Sequence, residues 1–268
     1  MRLVTWNCCR GPAPSKLPVL AALSPSVSVI PECPQPPDTN SMLWFGNNPR
    51  QGIAVAASGP YRISPAEIRD VPPYAFPVQV TGPTSFLLLA IWSQRNPDFR
   101  YVRAVIRAVE IYRDLIVSQP TVIAGDFNSN TIWDYKRPAT QNHSGLVQQL
   151  TSLGLVSAYH HFFGEAQGAE SRPTLYLRRD PEKPYHIDYC FIPEAWVTML
   201  RSVEVGTDEP WARYSDHRPL VVDIDVCCDG VPNNTLQPTG MRVPSMPVCS
   251  GSAALSVCVR QRLNRSGG

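Results

Sequence analysis

The 268-residue sequence has no Cys-x-x-Cys pair and no grouping of His and Cys at zinc-site spacing, although it carries eight cysteines. The adjacent pairs Cys8-Cys9 and Cys227-Cys228 do not fit a secreted disulfide framework, so the cysteines read as thiols. No apolar run is long enough to cross a membrane, and Met1-Arg2 leads straight into strand-like sequence without a leader pattern. A soluble, cytoplasmic protein is the expectation, with no oligomer implied. Strong charge of one sign is missing too. The formal net charge is only +2, and residues 227–268 account for it, with Arg242, Arg260, Arg262 and Arg265 against Asp229 alone. A near-neutral body does not advertise tight non-specific nucleic-acid binding, and it leaves room for a local basic groove.

The residues present divide into two stretches. Residues 1–226 are enough for one α/β domain with a substantial core. From Cys227 onward Asn, Thr, Pro, Ser and Gly dominate without a sustained amphipathic period, and 227–268 reads as a low-complexity, disordered tail. Within the body, short apolar runs end in polar tips. Leu3–Trp6 reads as a buried strand ending in Asn7, and Val27–Ile30 as another ending in Pro31-Glu32-Cys33-Pro34. Met42–Phe45, Gly52–Ala57, Ala75–Thr81 and Ser85–Trp92 follow between Pro- and Gly-rich turns, which suggests antiparallel pairing. Leu87–Ile91 is apolar on both faces and predicts a central strand covered on both sides.

Helices are fewer. A short one is predicted from Ser15 through Leu23, and the longest is opened by Asn96-Pro97-Asp98 and carried by Val102, Val105, Ile106, Val109, Tyr112 and Ile116. Arg103, Arg107 and Arg113 lie on its other side among acids, as on a solvated face. Residues 146–153 predict a third helix, stopped by Gly154. Residues 129–142 read as a polar loop and 159–184 as irregular. His160 and His161 face opposite sides if extended and so make no metal pair.

Thr121–Asn128, Thr-Val-Ile-Ala-Gly-Asp-Phe-Asn, is the stretch with the most chemistry in it. Gly125 permits close backbone approach, and residues two apart share a face of a pleated strand, so Asp126 and Asn128 aim at one site while Phe127 turns to the core. An acid beside an amide suits phosphoryl or metal chemistry. The same residues also suit a plain turn, and the stretch alone does not separate the two readings. Further along, Asp188 is embedded in the apolar run Ile187–Ile192 and wants a hydrogen-bonding partner, and Tyr214-Ser215-Asp216-His217-Arg218-Pro219 precedes a last strand.

Taken in order, Trp6-Asn7, Glu32, Gly125-Asp126-Phe127-Asn128, His186-Ile187-Asp188-Tyr189 and Ser215-Asp216-His217-Arg218-Pro219 resemble the endonuclease/exonuclease/phosphatase superfamily, the fold of deoxyribonuclease I and exonuclease III. The resemblance spans residues 1–226. It implies a four-layer α/β sandwich, two mixed and mainly antiparallel sheets face to face with helices outside, and strand-end loops forming one metal-dependent site. Glu32, Asn7 and Asp216 would hold Mg²⁺, with Mn²⁺ as substitute. Asp126 would be the base for the attacking water, with Asn128 donating to the phosphate and holding Asp126. His217 would face the phosphate, oriented and kept protonated by Asp188.

The implied reaction is in-line hydrolysis of a phosphodiester, first of all by an endo- or exonuclease on DNA. Many relatives carry a His or Tyr after the strand that ends here in Trp92. Trp92 cannot act as an acid, so Gln94, Arg95 or Asn96 would replace that donor, Arg95 being suited to a phosphate. Trp92, Arg95 and Asn96 are expected on the substrate side, together with Trp133, Lys136 and Arg137 from the polar loop. Two rivals stand beside this reading. One is a phosphomonoesterase or phospholipid-directed phosphodiesterase using the same site; the other is a catalytically inactive binding protein with the same fold.

Overall fold

The computed structural model describes residues 1–37, 41–67, 69, 75–95 and 101–226; Asn96, the side chain of Lys136 and the tail at 227–268 lie outside the described residues. In chain order the elements are β1 (Arg2–Thr5), α1 (Ala13–Ala21), β2 (Val27–Cys33), β3 (Met42–Asn48), β4 (Gln51–Ala57), β5 (Arg62–Pro65), β6 (Ala75–Thr81) and β7 (Phe86–Trp92). They continue with α2 (Val102–Ile111), α3 (Arg113–Ser118), β8 (Thr121–Asp126), α4 (His143–Ser152), β9 (Leu155–Ser157) and α5 (Ala158–Phe163). The last are β10 (Leu175–Tyr176), β11 (Pro184–Tyr185), β12 (Asp188–Pro193), β13 (Leu200–Val205) and β14 (Leu220–Ile224).

Two six-stranded sheets result, ordered β13-β14-β1-β2-β4-β3 and β5-β6-β7-β8-β12-β9, with β10-β11 as a separate ribbon. Most neighbours are antiparallel, whereas β1–β2 and β7–β8 are parallel, as the mixed-sheet expectation requires. Side-chain alternation explains the layering. On β7, Phe86, Leu88, Ala90 and Trp92 enter a core shared with Leu3, Val27, Val29, Ile53 and Val55 of the first sheet. Leu87, Leu89 and Ile91 point the other way, against Val105, Val109 and Tyr112 of the helical layer and Leu146 and Leu150 of α4. A third cluster packs Leu20 of α1 and Trp211 onto the outer face of the first sheet through Val4, Trp6 and Ile30. The sequence is therefore α, β, β, α in cross-section.

Three sequence expectations change. The long helix is two, because the backbone turns at Tyr112 (φ −95°, ψ 9°), whose buried ring packs in the helical core and whose hydroxyl accepts the Arg69 N–H. Its predicted opening at Asn96-Pro97-Asp98 lies outside the described residues. Residues 159–184 are not irregular throughout: α5 forms and is stopped by Gly164 in the left-handed region, and β10 and β11 pair beyond it. His160 and His161 consequently sit on a helix. No helix among the described residues is long and apolar enough to cross a membrane.

Gly125 lies in β8 at φ +141°, and a Cβ there would meet the Ile91 carbonyl oxygen at 1.9 Å. Only glycine lets β7 and β8 approach this closely just before Asp126. Gly125→Ala is expected to lower the unfolding free energy by about 2–4 kcal/mol in urea titration, through overpacking and backbone strain.

Candidate active site

The parallel pairings bring the ends of β1, β2, β7 and β8 to one edge of the sandwich, and the loop before β14 joins them there because β14 runs antiparallel to β1 from Leu220 opposite Thr5. Asn7 and Glu32 come from the first sheet, Asp126 and Asp188 from the second. Asp188 opens β12 directly opposite Asp126 in register, and the two acids share the face that continues into Cys190 and Ile192. Two carboxylates thus lie side by side, both buried.

Their charge is compensated locally. Asp126 Oδ2 accepts from Asn7 Nδ2 at 2.9 Å and Asn128 Nδ2 at 2.8 Å, and Oδ1 accepts the Asn128 backbone N–H at 2.9 Å. Asp188 Oδ2 pairs with His217 Nδ1 at 2.8 Å, while Asp188 Oδ1 has no hydrogen-bond partner among the described residues. Burial and the neighbouring Asp188 charge push the Asp126 pKa up, against His217, Asn7 and Asn128. His217 is also buried, which opposes its charge, but Asp188, Asp126 and Asp216 outweigh this and lift it to about 9. At neutral pH the imidazole is a cation.

Carboxylate and imidazole atoms of Asp126, Asp188 and His217 all lie within 4.8 Å of one another, a spacing that could hold a metal ion only once His217 has given up its proton. A second corner offers oxygen donors as well. Glu32 is half-buried, accepts from Asn7 Nδ2 at 3.3 Å, and pairs with Arg10 Nε at 3.2 Å. Asp216 is half-buried, and its carboxylate takes the Cys9 thiol as a hydrogen-bonding neighbour; burial first and Asp216 second push that thiol's pKa up. Glu32, Asp216 and the Asn7 carboxamide are hard oxygen donors of the kind that suit Mg²⁺ or Mn²⁺.

Both amide hydrogens of Asn128 are engaged, by Asp126 and by the Ser93 carbonyl at 2.9 Å, so in this structure Asn128 holds Asp126 and has none left for a phosphate. Asn7 likewise spends both N–H groups, and its oxygen already accepts from Cys9 N at 2.8 Å. Trp92 is 2% exposed in the core between the sheets, which corrects its placement on the substrate side: its even parity on β7 turns it inward. Arg95 is exposed, and Asn96 is outside the described residues.

Trp133 and Arg137 do reach a cavity of about 450 Å³ that opens beside Asn128. Its walls also include Tyr101, Leu175, Leu177, Tyr185 and His143, with the Trp133 and Tyr185 rings 5.2 Å apart. Lys136 belongs to the same 3₁₀ turn, Thr131–Lys136, capped by Asn130 accepting from Ile132 N. Asn130 is in turn held by Glu170, which His160 Nε2 meets at 3.0 Å; burial works against the Glu170 charge, but these partners hold its pKa at about 2. Sequence reasoning missed Tyr185, Glu170 and Arg10, which carry no motif and acquire meaning only through packing. Thr174 was missed too: its hydroxyl accepts the N–H groups of Ile187 and Asp188 at 3.0 and 3.1 Å, anchoring the start of β12.

No protein-family profile matches the chain, and no curated protein does. Solved structures do. A 3′-5′ exonuclease, NExo, from Neisseria meningitidis superimposes with TM-score 0.63 at 19% identity, over 84% of this chain and 100% of that one. The endonuclease domain of TRAS1, a telomere-specific non-LTR retrotransposon, gives 0.61 at 17% identity over 84% and 98%. An AP endonuclease from Archaeoglobus fulgidus gives 0.60 at 15% identity over 84% and 99%. The chain shares the DNase I-like α/β-sandwich fold with these structures.

A folded-state pKa raised above the unfolded value near 6.5 means that His217 binds its proton more tightly when the protein is folded. Its contribution is complete below about pH 6.5 and is lost as pH rises through about 9; the raised pKa of Asp126 acts in the same sense. Stability measured by denaturant unfolding is therefore expected to fall by a few kcal/mol between about pH 7 and 10. Asp188→Asn should flatten that fall and lower the imidazole titration seen by NMR.

Proposed function

We propose that the protein is a Mg²⁺-dependent phosphodiester hydrolase, a nuclease acting on DNA by in-line attack of an activated water. The observation that carries the reading is the facing pair itself: a restrained carboxylate, Asp126, beside an Asp188–His217 dyad, at a strand edge that also presents Glu32 and Asp216. Glu32, with Asp216 and the Asn7 carboxamide, would hold the metal, which when bound supplies Lewis-acid polarisation of a phosphoryl oxygen.

The remaining chemistry belongs to the chain. Asp126 accepts the proton of the attacking water; burial and Asp188 make it a stronger base than a solvated carboxylate, and Asn7 and Asn128 fix its direction. His217 presents a positive charge toward the phosphate, where negative charge grows in the transition state. Asp188 keeps the imidazole charged and oriented. Arg95 and Arg137 would supply phosphate contacts on the substrate side. The aromatic walls of Trp133, Tyr185 and Tyr101 favour a flat base or sugar beside the scissile phosphate over an extended acyl chain. The names of the neighbours, an exonuclease, an endonuclease domain and an AP endonuclease, support nucleic acid as the substrate class.

The test is hydrolysis by the full chain, with Mg²⁺ or EDTA, of plasmid DNA, abasic duplex, single strands, RNA, sphingomyelin and inositol phosphates. Asp126→Ala should reduce kcat by about 10³-fold or more without abolishing DNA binding. A preference for sphingomyelin or inositol phosphate would move the substrate class to lipid or headgroup. Silence across the panel with Mg²⁺ still bound would sink the hydrolase reading in favour of a binding protein. On DNA, Arg137→Ala should weaken binding and reduce the slope of log affinity against log salt by about one, measured by fluorescence anisotropy.

A further inference from the structure

We infer that Lys16 is a positioning residue for the Glu32–Asn7–Asp216 corner, acting through the backbone of the loop that follows Asn7; the inference rests on the hydrolase reading above. Cys9, Arg10 and Gly11 follow one another at φ +51°, +54° and +78°. Left-handed backbone is natural for glycine and unfavourable for the two residues before it, so a run of three needs an external hold. Lys16 provides one. It lies on α1, is 6% exposed, and its ammonium donates to the carbonyls of Cys8, Cys9 and Arg10. Among the described residues no carboxylate pairs with it. An ammonium has three donors and no acceptor, and a buried one must be satisfied; successive carbonyls of this loop do that.

The loop so held touches every member of the corner. Cys9 N–H donates to Asn7 Oδ1, which turns the Asn7 amide hydrogens toward Asp126 and Glu32. The Cys9 thiol meets the Asp216 carboxylate, and the Arg10 guanidinium meets Glu32. Among the described residues, the hydrogen bonds of Lys16 go to these backbone carbonyls and not to the side chains of the corner. If its hold is lost, the carbonyls turn out to water, the loop relaxes toward right-handed or extended backbone, and the oxygen donors lose their common orientation. Buried polar partners of metal-site residues commonly matter to affinity by 10–100-fold.

Mn²⁺ binding to the full-length protein, followed by calorimetry and by the electron-spin resonance of free Mn²⁺, tests this without turnover. Lys16→Met is expected to raise the Mn²⁺ Kd about tenfold or more, with the His217 imidazole titration unmoved, and Lys16→Arg to restore most of the affinity. A folded Lys16→Met protein that binds Mn²⁺ within about twofold of wild type overturns the inference. Gly11→Ala decides the matter if Lys16→Met fails to fold. Gly11 is exposed, and an added Cβ makes only ordinary contact with Lys16, at 3.6 Å, so the substitution acts on the left-handed backbone alone. It too should weaken Mn²⁺ binding, and unchanged affinity overturns the inference. Glu32→Gln marks the site: a wild-type protein that binds no Mn²⁺ there overturns the hydrolase reading as well, whereas equal binding by wild type and both loop variants overturns only the role of Lys16.

Discussion

Two carboxylates facing each other across β8 and β12 set the terms for the rest of this molecule. Like charges directly opposite in an antiparallel pair repel, and burial removes the water that would screen them. The pair is tolerable because each acid has its own compensation. Asp188 has the imidazolium of His217, and Asp126 has two carboxamides and a backbone N–H. Those partners come from the loop after β1, from the turn after β8 and from the loop before β14. The electrostatic problem therefore ties both sheets together at one edge, and Trp6 adds to the tie by donating its indole N–H to the His217 carbonyl.

Topology supplies these partners at little cost. Parallel neighbours such as β1–β2 and β7–β8 must be joined by crossovers, which leaves their C-terminal ends on the same edge and free to carry polar residues. Parity does the rest. Even-numbered residues of β8 and β12 face the first sheet, so the same alternation that buries Val122, Ala124, Cys190 and Ile192 aims Asp126 and Asp188 toward Asn7. Phe127 takes the opposite direction and stacks edge-on against Tyr189.

Much of this was legible in the sequence. Apolar runs ending in Asn7, Glu32 and Asp126, and one preceded by the Asp216-His217 pair, marked the strands. The order of these motifs implied their common site through the family resemblance, and Gly125 marked the close approach beside Asp126. Leu87–Ile91, apolar on both faces, marked a central strand covered on both sides, while the four-layer architecture was implied by the family resemblance. What stayed hidden depended on tertiary contact. The break at Tyr112 falls inside an unbroken helical period, and only its packing with Arg69 gives it meaning. Trp92 sits at a strand end among polar neighbours, where local sequence cannot show which face it takes. The short pieces between 158 and 185 lack the length for periodicity to register, yet that stretch carries Tyr185 to the cavity beside Asn128 and Glu170 to the Asn130 amide.

The double-faced burial of β7 has a consequence for how the protein comes apart. One strand contributes alternate side chains to both the inter-sheet core and the helix-side core, so neither core can open without exposing half of the other. The layers are in that sense a single cooperative unit, and the amide protons of Leu87–Ile91 should exchange with solvent only through global opening. Because β8 leaves that same shared spine to deliver Asp126, the rigidity of the carboxylate is borrowed from the most slowly opening part of the fold.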